Sequence, residues 1–391
     1  MSPDSTGSGT DPVAEAGPGL DGDVPLADPT LGGRAKRRVQ DVLDSGDLAD
    51  GEEVRRFESE FADYCGAAHG VATANGTAAL HAGLHAAGIG PGDAVVTTPL
   101  SFIATANAVR HCGAEPIFAD VNPLTYNLEP AAVETAIRDR DGDVDAVLAV
   151  HLYGLPADVA ELRAIADAHD VPLIEDAAQA HGATYRGDPV GSLGDVACFS
   201  FYPTKNMTTG EGGMVLTDDE TVARRAARFV NHGRSENGTH VDVGHNFRMT
   251  NLAAAIGRVQ LDRLPEYLEA RRGFAETLTE TVERTSLVAP TVPEDRAHAY
   301  NQYTVRTADR GTVRRVLEEF GVDTGVYYPT PIHEHPPYAD RSVSAPVAEA
   351  AADQVLSLPV HPSLSERDLD VLCTALVYAD RYALDGRDPS E

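Results

Sequence analysis

Between residues 70 and 217, short apolar runs alternate with helix-length segments. The runs are GVATA, DAVVTTP, EPIFAD, VDAVLAVHL, VPLIED, VACFSF and GGMVLT. Most are apolar at nearly every position rather than at every second one, as in strands covered on both faces. Between several of them lie TAALHAGLHAAG, SFIATANAVRHCG, PAAVETAIRD and PADVAELRAIADAHD. Strand–helix alternation at this spacing predicts an α/β fold with a mainly parallel, doubly wound sheet. Ligands on such sheets sit beyond the carboxyl ends of the strands, so chemistry is sought just past the end of each run.

Upstream, RAKRRVQDVLDSG and EEVRRFESEFADYCG read as helices closing at glycine. Residues 251–283 form one long helical stretch, in which Pro265 is expected to cause a kink or a division. Beyond it lie strand-like AYNQYTVRT, helical TVRRVLEEFG, the loop YYPTPIHEHPPY and helical SERDLDVLCTALVYADRYA, which predict a smaller α/β domain. The expected division is a disordered acidic tail over 1–25, a large domain over 26–265 and a small domain over 266–391.

Charge narrows the functions. Lys plus Arg number 31 against 61 Asp plus Glu, a net charge of −30. Such a surface repels phosphate backbones and anionic lipid, which disfavours nucleic-acid and membrane partners. No run of 18 apolar residues exists to span a bilayer. The N-terminal residues have neither the basic nor the apolar part of an export signal, and the four cysteines are too scattered for a disulfide framework or a zinc site. The expectation is a cytoplasmic protein with reduced thiols. Only two lysines occur, Lys36 and Lys205. An acid-rich, lysine-poor chain suits a salt-rich, halophilic cytoplasm. A lysine kept in such a chain is a candidate for amine chemistry, which a guanidinium does not offer.

Three strand ends carry candidate chemistry. Asn75-Gly76-Thr77-Ala78 opens a helix after GVATA; it reads as an anion site at a helix N-terminus, or as a plain turn with Thr as N-cap. VPLIED ends in Glu175-Asp176, carboxylates for a ligand cation or an N-cap. VACFSF runs through Ser200 into YPTKNMTTGEGG, which places Lys205 and a glycine-rich turn at a third end. No dinucleotide fingerprint or Walker string is present. A phosphate cradle, an acid, a serine and a rare amine suit pyridoxal 5'-phosphate (PLP), which needs a phosphate cup, an acid for its ring nitrogen and an amine for its aldehyde.

From about residue 25 onward the chain resembles the DegT/DnrJ/StrS family of PLP-dependent sugar aminotransferases, of the aspartate-aminotransferase fold (type I). The strings that carry the resemblance are LADPTLGG, FESEFADYCG, NGTAAL, GIGPGDAVVTTPLSFIATANAV, DVNPLTYNLEP, VHLYGLPADV, IEDAAQAHGA, FSFYPTKNMTTGEGGMV and GHNFRMTNLAAAIG. The resemblance implies a seven-stranded sheet. It implies Lys205 as the Schiff-base lysine, Asp176 as the partner of the ring nitrogen, Gln179 at the ring's 3-hydroxyl and Phe102 on the ring face. It implies Thr77, Ala78 and Ser200 as phosphate ligands, and Asn246 reaching the phosphate of a neighbouring subunit in a homodimer with shared sites. Phe247 stands where the family commonly has Tyr. The implied reaction is ping-pong transamination from glutamate or glutamine to a keto-sugar, nucleotide-linked, for amino-sugar or glycan biosynthesis.

His333, in the loop that the family sets near the sugar pocket, is a substrate-contact candidate with surface loop as its rival. His181 either lines the site or packs. His333, His335 and His361 with Glu334 lack metal-ligand spacing, so no metal is expected. Two rival functions stay open: a sugar dehydratase on the same scaffold, in which His replaces the Schiff-base lysine, and a non-catalytic regulator that binds PLP or a sugar nucleotide.

Overall fold

The computed structural model describes residues 23–339 and 343–385. The expected tail over 1–25 lies outside them except for its last residues, and one of those is part of the fold. Val24 is 1% exposed and bridges to Val322.

All seven apolar runs become strands of one sheet: β1 (His69–Thr73), β2 (Ala94–Thr97), β3 (Glu115–Phe118), β4 (Ala146–Val150), β5 (Leu173–Asp176), β6 (Val196–Ser200) and β7 (Gly213–Thr217). Their order is β1-β7-β6-β5-β4-β2-β3. β7 runs antiparallel to both neighbours, and every other pairing is parallel. Every residue of β2, β4, β5 and β7 is buried, because helices cover both faces.

The helices are α1 (Gly32–Ser45), α2 (Glu52–Cys65), α3 (Gly76–Ala86), α4 (Ala104–His111), α5 (Pro130–Arg138), α6 (Val159–Ala168), α7 (Glu220–Val230), α8 (Asn251–Val282), α9 (Arg310–Glu319), α10 (Pro346–Gln354) and α11 (Glu366–Asp385). The glycine stops behave as read: Gly46 and Gly66 take the left-handed conformation after α1 and α2, at φ of 76° and 74°. α3 is built of small residues and lies tight on the sheet. A Cβ at Gly83 would stand 2.6 Å from Cys198 Sγ on β6.

α8 is one helix of 32 residues with Pro265 inside it, so the expected division does not occur. Packing on both sides of the proline holds it together. Leu261, Leu264 and Leu268 enter the core beside β6 and β7, whereas Ala275, Leu278 and Val282 enter a separate core. That second core gathers Val24, α9, α11 and the two-stranded sheet β8 (Tyr303–Arg306) with β9 (Val355–Leu358). α8 therefore passes from one core to the other between Leu268 and Ala275. No helix among the described residues is long and apolar enough to cross a membrane.

Candidate active site

Neighbouring strand ends gather the chemistry. β5 ends at Asp176, β6 ends at Ser200, and β6 leads into a turn in which the Lys205 N–H donates to the Tyr202 carbonyl at 2.9 Å. α3 starts directly after β1, with Gly76 against Ser200. A Cβ on Gly76 would lie 2.6 Å from Ser200 Cβ, so only glycine lets the helix start come this close. The N-cap of α3 is Asn75 rather than Thr77: its Oδ1 accepts from the Ala78 N–H at 2.9 Å. Ala78 thus has its N–H engaged, while Gly76 and Thr77 sit at the N-terminal end of the helix beside Ser200.

The two adjacent carboxylates of β5 separate in role. Glu175, 0% exposed, accepts from the backbone N–H groups of Gly191, Leu193 and Gly194 at 3.1, 2.9 and 2.7 Å and contacts His151 Nε2 at 2.9 Å. It anchors the 191–194 loop. Asp176 accepts from the Thr105 hydroxyl at 2.7 Å and from the Ala178 N–H at 3.3 Å, and Thr105 Oγ1 lies 2.9 Å from Ser101 Oγ. No helix follows β5, so Asp176 is not a helix cap. Burial pushes its carboxyl up, and the Thr105 hydroxyl, the Ala178 N–H and the Lys205 charge oppose that.

Lys205 is half-buried and its amine has no hydrogen bond or ion pair among the described residues. Burial lowers it to about 8 against the opposing pull of Asp176. It is an amine brought toward its neutral, nucleophilic form. Lys36 is exposed on α1.

Gln179 is placed by a turn, in which the Ala180 N–H donates to the Ala177 carbonyl at 2.9 Å. Its Oε1 accepts from the Tyr153 N–H at 2.6 Å and its Nε2 donates to the Tyr328 hydroxyl at 3.1 Å. Tyr328 was not singled out from the sequence. It joins Gln179, feels the Asp176 charge, and lies 6.1 Å from the Phe102 ring between centroids. Phe102 is 58% exposed. Thr105 and Tyr153 were also missed. Tyr153 holds φ at 60° and donates its hydroxyl to the Tyr327 carbonyl. All three stand in strings with a recognisable pattern, but their partners are remote in the chain.

Asn246 is exposed and accepts from Arg248 Nη2 at 2.8 Å. Phe247 stacks on His245 at 4.6 Å and packs against the core that holds α3. His181 is 0% exposed, with its ring among Phe61, Phe199 and Phe201. Burial, followed by the Lys205 charge, lowers it to about 3. His333 is 6% exposed, and its Nε2 lies 3.3 Å from Glu349 Oε1. Glu334 joins that pair within 4.8 Å, whereas His335 and His361 do not.

These residues fit PLP. The N-terminal end of α3, packed against Ser200, presents backbone N–H groups of the kind that suit an anion, Asp176 offers a held carboxylate, and Lys205 supplies an amine unpaired among the described residues. The family profile of DegT/DnrJ/EryC1/StrS aminotransferases matches residues 29–377. A pleiotropic regulatory protein of Geobacillus stearothermophilus is 40% identical over 84% of this chain and 90% of its own. A UDP-2-acetamido-2-deoxy-3-oxo-D-glucuronate aminotransferase of Pseudomonas aeruginosa is 38% identical over 86% and 94%. Among solved structures, S. venezuelae DesV in complex with a ketimine intermediate superposes with a TM-score of 0.88 at 37% identity, over 92% of this chain and 99% of its own. Bacillus subtilis NtdA with bound cofactor PMP gives 0.84 at 31% identity, over 91% and 83%. With a lysine, an acid and a helix N-terminus at neighbouring strand ends and the profile matched over most of the chain, the chain belongs to the DegT/DnrJ/EryC1/StrS aminotransferase family.

Proposed function

We propose that the protein is a PLP-dependent aminotransferase that takes an amino group from glutamate or glutamine and installs it on a nucleotide-linked keto-sugar, in amino-sugar or glycan biosynthesis. The observation that carries this reading is the Lys205 amine, without a hydrogen bond or ion pair among the described residues, in the turn after β6, next to the end of β5 where Thr105 holds the Asp176 carboxylate. The P. aeruginosa relative, an aminotransferase for a UDP-linked oxo-sugar, supports the acceptor class.

When bound, PLP supplies an aldehyde for amine exchange and an electron sink for the donor's α-carbon. Lys205 would hold it through Nζ. Asp176 would face the ring nitrogen and keep it protonated, Gln179 would meet the 3-hydroxyl, and Phe102 would cover one ring face. The N–H groups of Gly76 and Thr77, the Thr77 hydroxyl and Ser200 would take the phosphate. Ala78 contributes the capped helix end, because its own N–H is engaged by Asn75. Once its amine is free, Lys205 Nζ removes the proton from the donor α-carbon and returns one to the reacting centre, as base and then acid. The Thr105 hydroxyl keeps Asp176 oriented throughout.

The exposed Asn246 suits a residue that completes the site of a second copy, so the working unit is a homodimer. The acidic, lysine-poor composition suits a salt-rich cytoplasm. Incubation with PLP, glutamate and a panel of nucleotide keto-sugars, read by mass, should give an acceptor product in which an amine replaces the ketone oxygen. Cofactor binding without turnover of any acceptor would favour the regulator reading, which the name of the G. stearothermophilus relative keeps in view.

A further inference from the structure

Arg271, on α8, is 5% exposed in a chain where acids outnumber bases two to one, yet it has no acidic partner among the described residues. Its Nη1 donates to two backbone carbonyls, Tyr300 at 2.8 Å and Val360 at 2.9 Å. Those bonds tie α8 to the small-domain segments and fix the plane of the guanidinium. The opposite edge is different. Nε is buried without a partner, and Nη2 makes no hydrogen bond among the described residues. Nε and Nη2 form the side-on fork that matches a carboxylate with two parallel hydrogen bonds. A buried, charged donor pair left open calls for an explanation.

The surroundings supply one. Arg271 lines a cavity of about 30 Å³ together with Lys205, Asn206, His361 and Asp28. Two more polar atoms of the lining lack partners, Asn206 Oδ1 and His361 Nδ1. The one acid of the lining, Asp28, is exposed and forms no ion pair with Arg271. The volume suits one small polar group rather than a sugar.

We propose that the Nε–Nη2 edge of Arg271 receives the α-carboxylate of the amino donor, an inference that rests on the aminotransferase reading above. The α-carboxylate is the donor group next to the carbon whose proton Lys205 moves. Holding it on a fixed guanidinium would set that carbon beside Nζ. The acceptor sugar has no carboxylate at the reacting carbon, so Arg271 would act on one half of the reaction only.

The test compares both halves in the holoenzyme. In Arg271→Gln and Arg271→Lys, KM for glutamate should rise at least about tenfold, with KM for the keto-sugar within about twofold of wild type. Wild-type enzyme should use glutamate at least about tenfold better than its α-amide, isoglutamine, a comparison that needs no variant to fold. Calorimetric titration with glutarate, which carries no amine, should show binding that weakens at least about tenfold in Arg271→Gln. An unchanged glutamate KM in a folded, cofactor-loaded variant would overturn the inference, as would equal use of isoglutamine. If no donor is turned over, the function reading fails; glutarate binding that depends on Arg271 would still uphold the carboxylate site. Absent glutarate binding would show that the fork holds only water.

Discussion

Lys205 is poised by two opposing forces: burial expels its proton and Asp176 retains it. Its amine is freer than that of an ordinary lysine at neutral pH. Cofactor capture by the apoprotein should therefore accelerate as pH rises through about 8 and level off above it, which stopped-flow absorbance would follow. The stability sign comes from the same shift. The folded state releases the proton near 8 and the unfolded chain near 10.5, so the penalty is full below 8 and vanishes as pH rises past 10.5. Lys205→Met should thus raise the melting temperature of the apoprotein at pH 7, with a gain that shrinks at alkaline pH. Lys205→Ala should lower turnover by on the order of 10²–10⁴-fold. Thr105→Val removes the bond that orients Asp176 while keeping shape. It should weaken cofactor binding by about 1–3 kcal/mol, read by equilibrium titration.

At the scale of elements, the site depends on how closely α3 lies against β6. On α3, Gly76 and Gly83 are the positions where a Cβ would strike β6, at Ser200 and at Cys198. Gly83→Ala should cost about 1–3 kcal/mol in denaturant unfolding and leave the cofactor constant nearly unchanged, since Gly83 lies well along the helix from its start. Gly76→Ala should do the reverse, weakening cofactor binding more than stability. The seven strands were legible because parallel strands buried on both faces leave unbroken apolar runs, and Lys205 and Asp176 were legible because they lie at the ends of two of them. Thr105, Tyr153 and Tyr328 were not. Thr105 meets Asp176 across 71 residues and Tyr328 meets Gln179 across 149, and no local pattern records a pairing at such separations. Of the two outcomes read for Pro265, a kink or a division, the division does not occur, because two cores grip α8 on either side of it.

For the whole molecule, a net charge of −30 sets up self-repulsion that salt screens. The melting temperature should rise steadily from low to molar salt, and a flat response would separate this chain from a salt-adapted one. Assembly is testable by complementation. If Asn246 serves the site of a second copy, Lys205→Ala and Asn246→Ala chains, each inactive alone, should regain activity when unfolded and refolded together. A mixed dimer would then carry one intact site; no recovery would assign Asn246 to its own chain or to no site. The most direct measurement is chemical. Native holoprotein is reduced with borohydride, digested, and its peptides are weighed. One pyridoxyl phosphate group should be fixed to the peptide that contains Lys205 and none to that of Lys36. A label on Lys36 alone, or on no peptide, would contradict the role assigned to Lys205.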